Sequence, residues 1–404
     1  MGLFGGDSVI GLDIGTSSIK AVKMQATKGG WEVVAAARVP TPAGTLIDGQ
    51  IADEEQLVPV LRQLLTRSAV RGSEVVAAVN YTAQVAVRRT TLPVMTPTAL
   101  RKQLRANPEQ FQINSGKEFA TDFEVVSLQG EGEAAQMDTV IVSAPRTPVD
   151  SCLHLLERAG LDPIALDIEP FALMRSLVEC KPAMLPMRSA TAVLDLGAVH
   201  TDITVVRGPN YIFTRAIPFA GEGFTEVVRQ AMQCSTAEAE ALKTQVDLTW
   251  LLHDAEGRKE TPEYQATVAI KPVLDDLLKE VRNSILFYQS QLPDEDLEGM
   301  VGAILLAGGT ALMGGLAEYM QAAFALEVER ADFTQGFAYS IAAGAPELVP
   351  DTAPLFALAL GLAAKEPQDQ ASAAAAKAQL KAATKARPGK RRGQAAAPTA
   401  TPTA

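Results

Sequence analysis

The run Asp13-Ile14-Gly15-Thr16-Ser17-Ser18-Ile19-Lys20 sets a carboxylate and an ammonium on either side of a glycine and three hydroxyls. Apolar stretches on both sides, Val9–Leu12 and Ala21–Met24, make it a strand, a tight turn and a second strand. Gly15 lets the turn take backbone angles that a larger residue resists. The amides of Gly15, Thr16 and Ser17, with the hydroxyl of Ser18 beside them, then form a small anion cradle. Lys20 can aim a point charge at the bound anion. Asp13 stands where a phosphate-bound Mg²⁺ and its waters need an oxygen ligand. An ordinary hairpin with an exposed aspartate would carry the same letters, so the pattern is a hypothesis about a phosphate site.

The pattern returns about 180 residues on. Ala192 to Val206 again reads apolar strand, Asp195, x, Gly197, small residues including Ala198, and a second strand. A third turn, Ala307-Gly308-Gly309-Thr310, follows the apolar run Ala303–Leu306 and is expected to open a helix, whose N-terminus would face a ligand. Two Asp-x-Gly hairpins imply duplicated lobes facing one another across a cleft. Between them, Ile164–Val178 reads as a strand leading into a helix at Glu169-Pro170. A carboxylate there either answers the helix dipole or serves in catalysis.

The elements that must position these residues are alternating. Trp31–Pro40 continues the first sheet. Asp53, with Gln56 three residues later, caps a helix whose apolar stripe is Leu57, Leu61, Leu64 and Leu65. Strands follow at Glu74–Asn80 and Gln84–Leu92. Residues 93–165 read as an inserted α+β unit: a helix near Thr98–Glu109, strands at Phe119–Gln129 and Met137–Ala144, and a helix at Thr147–Ala159. The expected division is a first lobe over 1–92, the insert, a connector over 166–190, and a second lobe over 191–365 with a helical part near 222–298. A low-complexity tail over 366–404 completes the chain. The segment Leu252–Pro262 is polar and reads as a surface loop.

Composition narrows the classes. The chain has 404 residues, is 47% apolar and 21% charged, and carries a net charge of −11. Residues 366–404 hold seven Lys/Arg against two acids, a net of +5, which leaves −16 on the body. An acidic body argues against nucleic acid as a partner. The Ala/Lys- and Pro/Thr-rich tail cannot bury enough apolar area to fold alone. No apolar run approaches the roughly 18 residues of a membrane span, and the start MGLFGGDS lacks a secretory pattern. Cys152, Cys180 and Cys234 have no paired spacing and fit reduced thiols, so the expected location is the cytoplasm.

The three glycine turns resemble those of the actin, sugar-kinase and heat-shock-chaperone superfamily. Asp13 to Lys20 matches its first phosphate motif, Asp195 to Thr204 the second, and Leu306 to Leu316 the adenosine motif. More closely, the stretches LDIGTSSIKAV, VIVSAPRTPVDSCLHLLERAGLDPIALDIEPFAL, EVRNSILFYQSQ, ILLAGGTALMGGLAEYM and PLFALALGLA resemble the actin-like PilM family of type IV pilus assembly. The likeness covers roughly residues 8–365. It implies an α/β, two-lobed actin-like ATPase fold with duplicated ribonuclease-H-like domains and an insert placed as in FtsA. It further implies bound ATP and Mg²⁺, with Gly15, Thr16, Ser17, Gly197 and Ala198 giving amides to phosphates. Lys20 would touch phosphate oxygens, Asp13 and Asp195 would hold hydrated metal, and Glu169 would orient water. Glu240 and Lys243 would border the adenine, and Gly308, Gly309 and Thr310 would line the nucleoside. Hydrolysis is expected to be slow or absent.

As partners, the likeness implies the cytoplasmic N-terminal tail of a PilN-like inner-membrane protein, held in a groove that the insert helps form, and other pilus components. It leaves homo-oligomers open and places the protein at the inner face of the inner membrane. His200 stands where many relatives carry a small hydroxyl or amide residue, and reads as a packed or hydrogen-bonded histidine. Two other readings share the phosphate motifs. One is a cell-division actin like FtsA, against which stands the lack of large apolar residues in the tail beyond Leu380. The other is a sugar or acetate kinase, which the longer matching stretches disfavour.

Overall fold

A computed structural model describes residues 8–370 apart from 68–69, 80–84, 115, 131–134, 182–188, 254–256, 294, 334–335, 344 and 346. The tail proposed over 366–404 therefore lies largely outside the described residues. By contacts, Met1–Lys365 form one compact unit and Glu366–Ala404 another.

Alternating apolar residues build the opening meander, β1 (Ser8–Ile14), β2 (Ser18–Thr27) and β3 (Gly30–Pro40), antiparallel throughout. A two-residue hairpin, β4 (Leu46–Ile47) and β5 (Gln50–Ile51), leads to α1 (Glu54–Arg67). Asp53 caps α1, accepting the Gln56 amide at 3.1 Å and its side-chain N–H at 2.7 Å. The capping box is thus altered, because Gln56 returns to the carboxylate and not to the backbone of Asp53. β6 (Glu74–Val79) and β10 (Asp162–Ile168) add in parallel, and β16 (Ser340–Ile341) closes the far edge, in the order β10-β6-β1-β2-β3-β16.

Between β6 and β10 lie β7 (Ala86–Pro93), α2 (Pro97–Ala106), β8 (Phe119–Gln129), β9 (Gln136–Pro145) and α3 (Arg146–Ala159). This differs from the insert expected over 93–165. β7 pairs with β9 and not with the first sheet, so the inserted sheet starts ahead of Pro93. α3 belongs to the first lobe: Cys152, Leu155 and Leu156 are buried with Leu57, Leu61 and Leu64 of α1. Both shifts follow from which face each element buries, which the linear pattern does not specify.

After β10 the chain enters α4 (Glu169–Met174), continued by a π-helical turn over Arg175–Glu179. The second lobe repeats the first. β11 (Ala190–Leu196), β12 (Thr201–Arg207) and β13 (Asn210–Ile217) form an antiparallel meander. β14 (Val301–Ala307) and β15 (Glu327–Arg330) add in parallel, in the order β13-β12-β11-β14-β15. That is the order of β3-β2-β1-β6-β10, so the duplication read from the two hairpins extends to whole sheets. α5 (Gly221–Met232), α6 (Thr236–Lys243), α7 (Pro262–Gln289) and α8 (Leu316–Phe324) cover the second sheet through Phe224, Val228, Ala239, Leu274 and Leu316.

Helix α9 (Ala353–Ala363, APLFALALGLA) is buried on every side. A helix apolar all round must lie inside the molecule. It packs between the lobes, with Val9, Val22 and Val76 of the first sheet and Val193, Val206 and Leu305 of the second in one core. Close approach needs glycine: a Cβ on Gly11 would collide with α9 backbone at Ala359 and Ala363, and one on Gly361 with the Ala172 carbonyl. Buried Arg175 spans this junction, donating to Gly361 O and to Asp167 Oδ2, each at 2.8 Å.

Candidate functional site

Each hairpin register decides what stands at the cleft. In the first, Asp13 and Lys20 are cross-strand partners, and Lys20 Nζ donates to Asp13 Oδ2 at 2.9 Å. Both are largely buried, with side chains 13% and 9% exposed for Lys20 and Asp13. Lys20 is therefore held by the metal-ligand candidate and not extended on its own toward an anion. The turn between them is braced from behind. Thr41 donates its hydroxyl to Gly15 O at 2.6 Å and its amide to Ser17 O at 3.1 Å.

In the second hairpin Asp195 stands opposite Asp202, and Leu196 opposite Thr201. Opposed carboxylates on one face repel. Burial, then Asp202, then Asp13 push the Asp195 carboxyl up to about 7, with Lys20 and His200 acting in the other direction. His200 Nε2 lies 3.3 Å from Asp202 Oδ2. That hydrogen bond, more than the loss of hydration that opposes it, raises the imidazole to about 9. Glu169 and Asp195 add to it electrostatically. Glu169, buried at the start of α4, brings a carboxylate oxygen within 4.8 Å of donor atoms on His200 and Asp202. Asp202 is itself 4% exposed, and its Oδ1 is buried without a hydrogen-bond partner among the described residues.

The third turn packs onto the second. Gly308 has φ +84, and a Cβ there would lie 2.5 Å from both Asp195 Oδ1 and Leu196 O. Here glycine is required twice, by the left-handed angle and by the carboxylate. Thr310 Oγ1 donates to Gly197 O at 2.8 Å, and Gly221 N reaches the same oxygen at 3.2 Å. Lys243 of α6 donates to Gly221 O at 3.2 Å and Thr225 Oγ1 at 2.9 Å, and pairs with Glu240 at 2.6 Å. Thr225 Oγ1 is 2.5 Å from Glu240 Oε2. Asp13, Lys20, Glu169, Asp195, Gly197, Gly308, Thr310, Glu240 and Lys243 thus form one connected neighbourhood.

Three expectations change in detail. The Gly308–Gly309 turn enters a short 3₁₀ turn, Thr310–Leu312, and α8 starts only at Leu316. The Gly308 amide is already donated to Pro354 O at 2.9 Å, so neither the helix dipole nor that amide serves a ligand. The Gly197 amide is likewise used, by His200 O at 3.1 Å. Ala198, Val199 and His200 are the second-loop residues whose amides no backbone bond takes among the described residues. Asp202 was missed altogether. Its seven-residue spacing from Asp195 across a four-residue loop was the available signal, since such a hairpin sets the two side chains opposite one another.

A family model described as type IV pilus assembly protein PilM matches residues 11–366. The solved PilM-PilN type IV pilus biogenesis complex superposes with a TM-score of 0.70 at 27% identity, covering 88% of this chain and 97% of that one. The ethanolamine utilization protein EutJ of Carboxydothermus hydrogenoformans superposes at 0.52 with 18% identity, covering 89% and 90%. Among curated sequences, the cell division protein FtsA of Streptococcus pneumoniae is 22% identical over 350 residues, 79% of this chain and 74% of FtsA.

Proposed function

The chain belongs to the PilM family of type IV pilus assembly proteins, and on that premise we propose that it is an ATP-binding, actin-like scaffold docking the N-terminal tail of a PilN-like membrane protein. The observation that carries the nucleotide reading is the convergence of both Asp-x-Gly hairpins with Thr310, Glu240 and Lys243 at one cleft. The amides of Gly15, Thr16, Ser17 and Ala198 bind phosphate oxygens. Lys20 shares its charge between Asp13 and phosphate. Lys243, Glu240 and Thr225 hold the wall expected beside adenine.

The donor set fits Mg²⁺. Asp13 and Asp195 offer hard oxygens, and a cation beside them would offset the burial first, and then the Asp202 and Asp13 carboxylates, that raise the Asp195 carboxyl. When bound, the ion would neutralise phosphate charge and hold the triphosphate in place. Glu169 orients water, and Lys20 and the loop amides fix the phosphates; positioning of this kind is most of what phosphoryl transfer asks of a protein. For the partner, the insert supplies one wall of the groove. Val125, Val126 and Leu128 are exposed along β8, in keeping with a surface that meets protein.

Thermal unfolding with Mg-ATP tests the nucleotide reading. A ligand at 100 times its Kd adds about 2.7 kcal/mol, several degrees of melting temperature. The shift is expected in the parent and lost in Lys20→Ala; no shift in the parent would remove ATP from the reading. Binding of a labelled N-terminal peptide from the partner tests the other half, and no binding with or without ATP would overturn it.

A further inference from the structure

We propose that Glu169, His200 and Asp202 form a second cation site, distinct from the Asp13–Asp195 pair, that takes a transition divalent ion such as Mn²⁺ or Zn²⁺ without nucleotide. Their donor atoms lie within 4.8 Å of one another and come from two lobes: Glu169 from the start of α4, His200 and Asp202 from the second hairpin. Ligands about 2.0–2.2 Å from one metal ion stand roughly 3–3.6 Å apart, so small side-chain rotations close the set. His200 Nε2 and Asp202 Oδ2 are already at 3.3 Å.

The independent pointer to a ligand is Asp202. Its carboxylate is 4% exposed, is shared by the cluster, and keeps one buried oxygen, Oδ1, unpartnered among the described residues. Leaving a charged acceptor buried and unmet is costly. A hydrogen bond from His200 satisfies one oxygen only. A cation bridging the carboxylates and the imidazole supplies the charge this buried carboxylate lacks, and His200 turns neutral as it becomes a ligand, releasing its proton to water. Two carboxylates with one imidazole suit Mn²⁺, Co²⁺ or Zn²⁺; Mg²⁺ prefers oxygen alone. An ion held there ties the first lobe's connector to the second lobe's hairpin and takes Glu169 away from water.

The test uses the full chain without nucleotide, so it stands apart from failure of the ATP reading. At 100 times Kd, Mn²⁺ or Zn²⁺ is expected to raise the melting temperature by about 5 °C or more, with Mg²⁺ at equal concentration giving little. The rise is lost in His200→Ala and in Asp202→Asn, and kept in Asp13→Asn, each compared with its own metal-free state. Visible absorption of bound Co²⁺, read on the parent and on His200→Ala, gives a measure independent of stability and of the Asp202 variant's folding. An unchanged rise in His200→Ala, an equal rise with Mg²⁺, or no rise with any ion overturns the proposal.

Discussion

At the residue scale, the cleft is a concentration of negative charge awaiting partners. Asp13 has found one in Lys20; Asp195 has Asp202 opposite and Asp13 near, and burial first, then those two acids, hold its carboxyl at about 7 against an ordinary 3.8. The consequence for stability has a definite sign. Between those two values the folded chain binds a proton that the unfolded chain has lost, so stability falls as pH rises from about 4 to about 7. Asp195→Asn removes that loss. Its stability relative to the parent, measured by urea unfolding without metal or nucleotide, should therefore grow across this window. The ceiling is roughly 4 kcal/mol, reduced where cleft water reaches the carboxyl. A difference that stays level from pH 4 to pH 8 would show that Asp195 titrates as an ordinary carboxylate. Saturating Mg-ATP should reverse the ranking, since the parent alone then offers the charge.

At the element scale, α9 decides how closely the lobes can approach. Its side chains are all apolar, Ala and Leu with Pro354, Phe356 and Gly361, so none demands water, and Gly11 and Gly361 let backbone pass backbone. Gly361→Ala should cost about 1–3 kcal/mol or more, the range of an overpacked core, read as a lower midpoint in urea. A neutral or stabilising result would mean that α9 and α4 are free to move apart. Gly308→Ala combines a left-handed angle, worth about 1–2 kcal/mol, with a clash on Asp195. It should weaken Mg-ATP binding by more than it lowers the melting point of the free protein. Equal binding in isothermal titration would count against the assignment of this turn to the cleft.

For the whole molecule, the two sheets and their shared core form the body that carries both Asp-x-Gly hairpins, and the small sheet is an excursion from it. Ala86 and Ser143 are neighbours in the β7–β9 ladder, so the excursion leaves and returns at one place. Replacing residues 86–143 with a short flexible linker should therefore preserve the body and its response to Mg-ATP, while abolishing capture of the partner peptide. Peptide binding of unchanged affinity would move the groove off the insert. Loss of both responses together would instead make β7–β9 part of the lobe's own fold.

Much of this was legible from local chemistry. The hairpins, the capped α1 and the alternation of strand and helix are short-range features, because turn angles, caps and apolar periods act over a few residues. The repeated Asp-x-Gly pattern anticipated two lobes, and the matching strand orders bear that out. What needed the tertiary structure was every choice between equivalent partners. β7 could have joined either sheet and chose the insert; α3 could have capped the insert and packed on α1. Gly308 had an amide to offer and spent it on Pro354. Asp202 was one acid among 47 until the β11–β12 register set it against Asp195 and beside His200. By itself the sequence determined where the two Asp-x-Gly turns fall and which strands flank them. Only the packing of the two lobes decided which polar groups were already satisfied, because burial removes water as the alternative partner and leaves each group to whatever the fold has placed within reach.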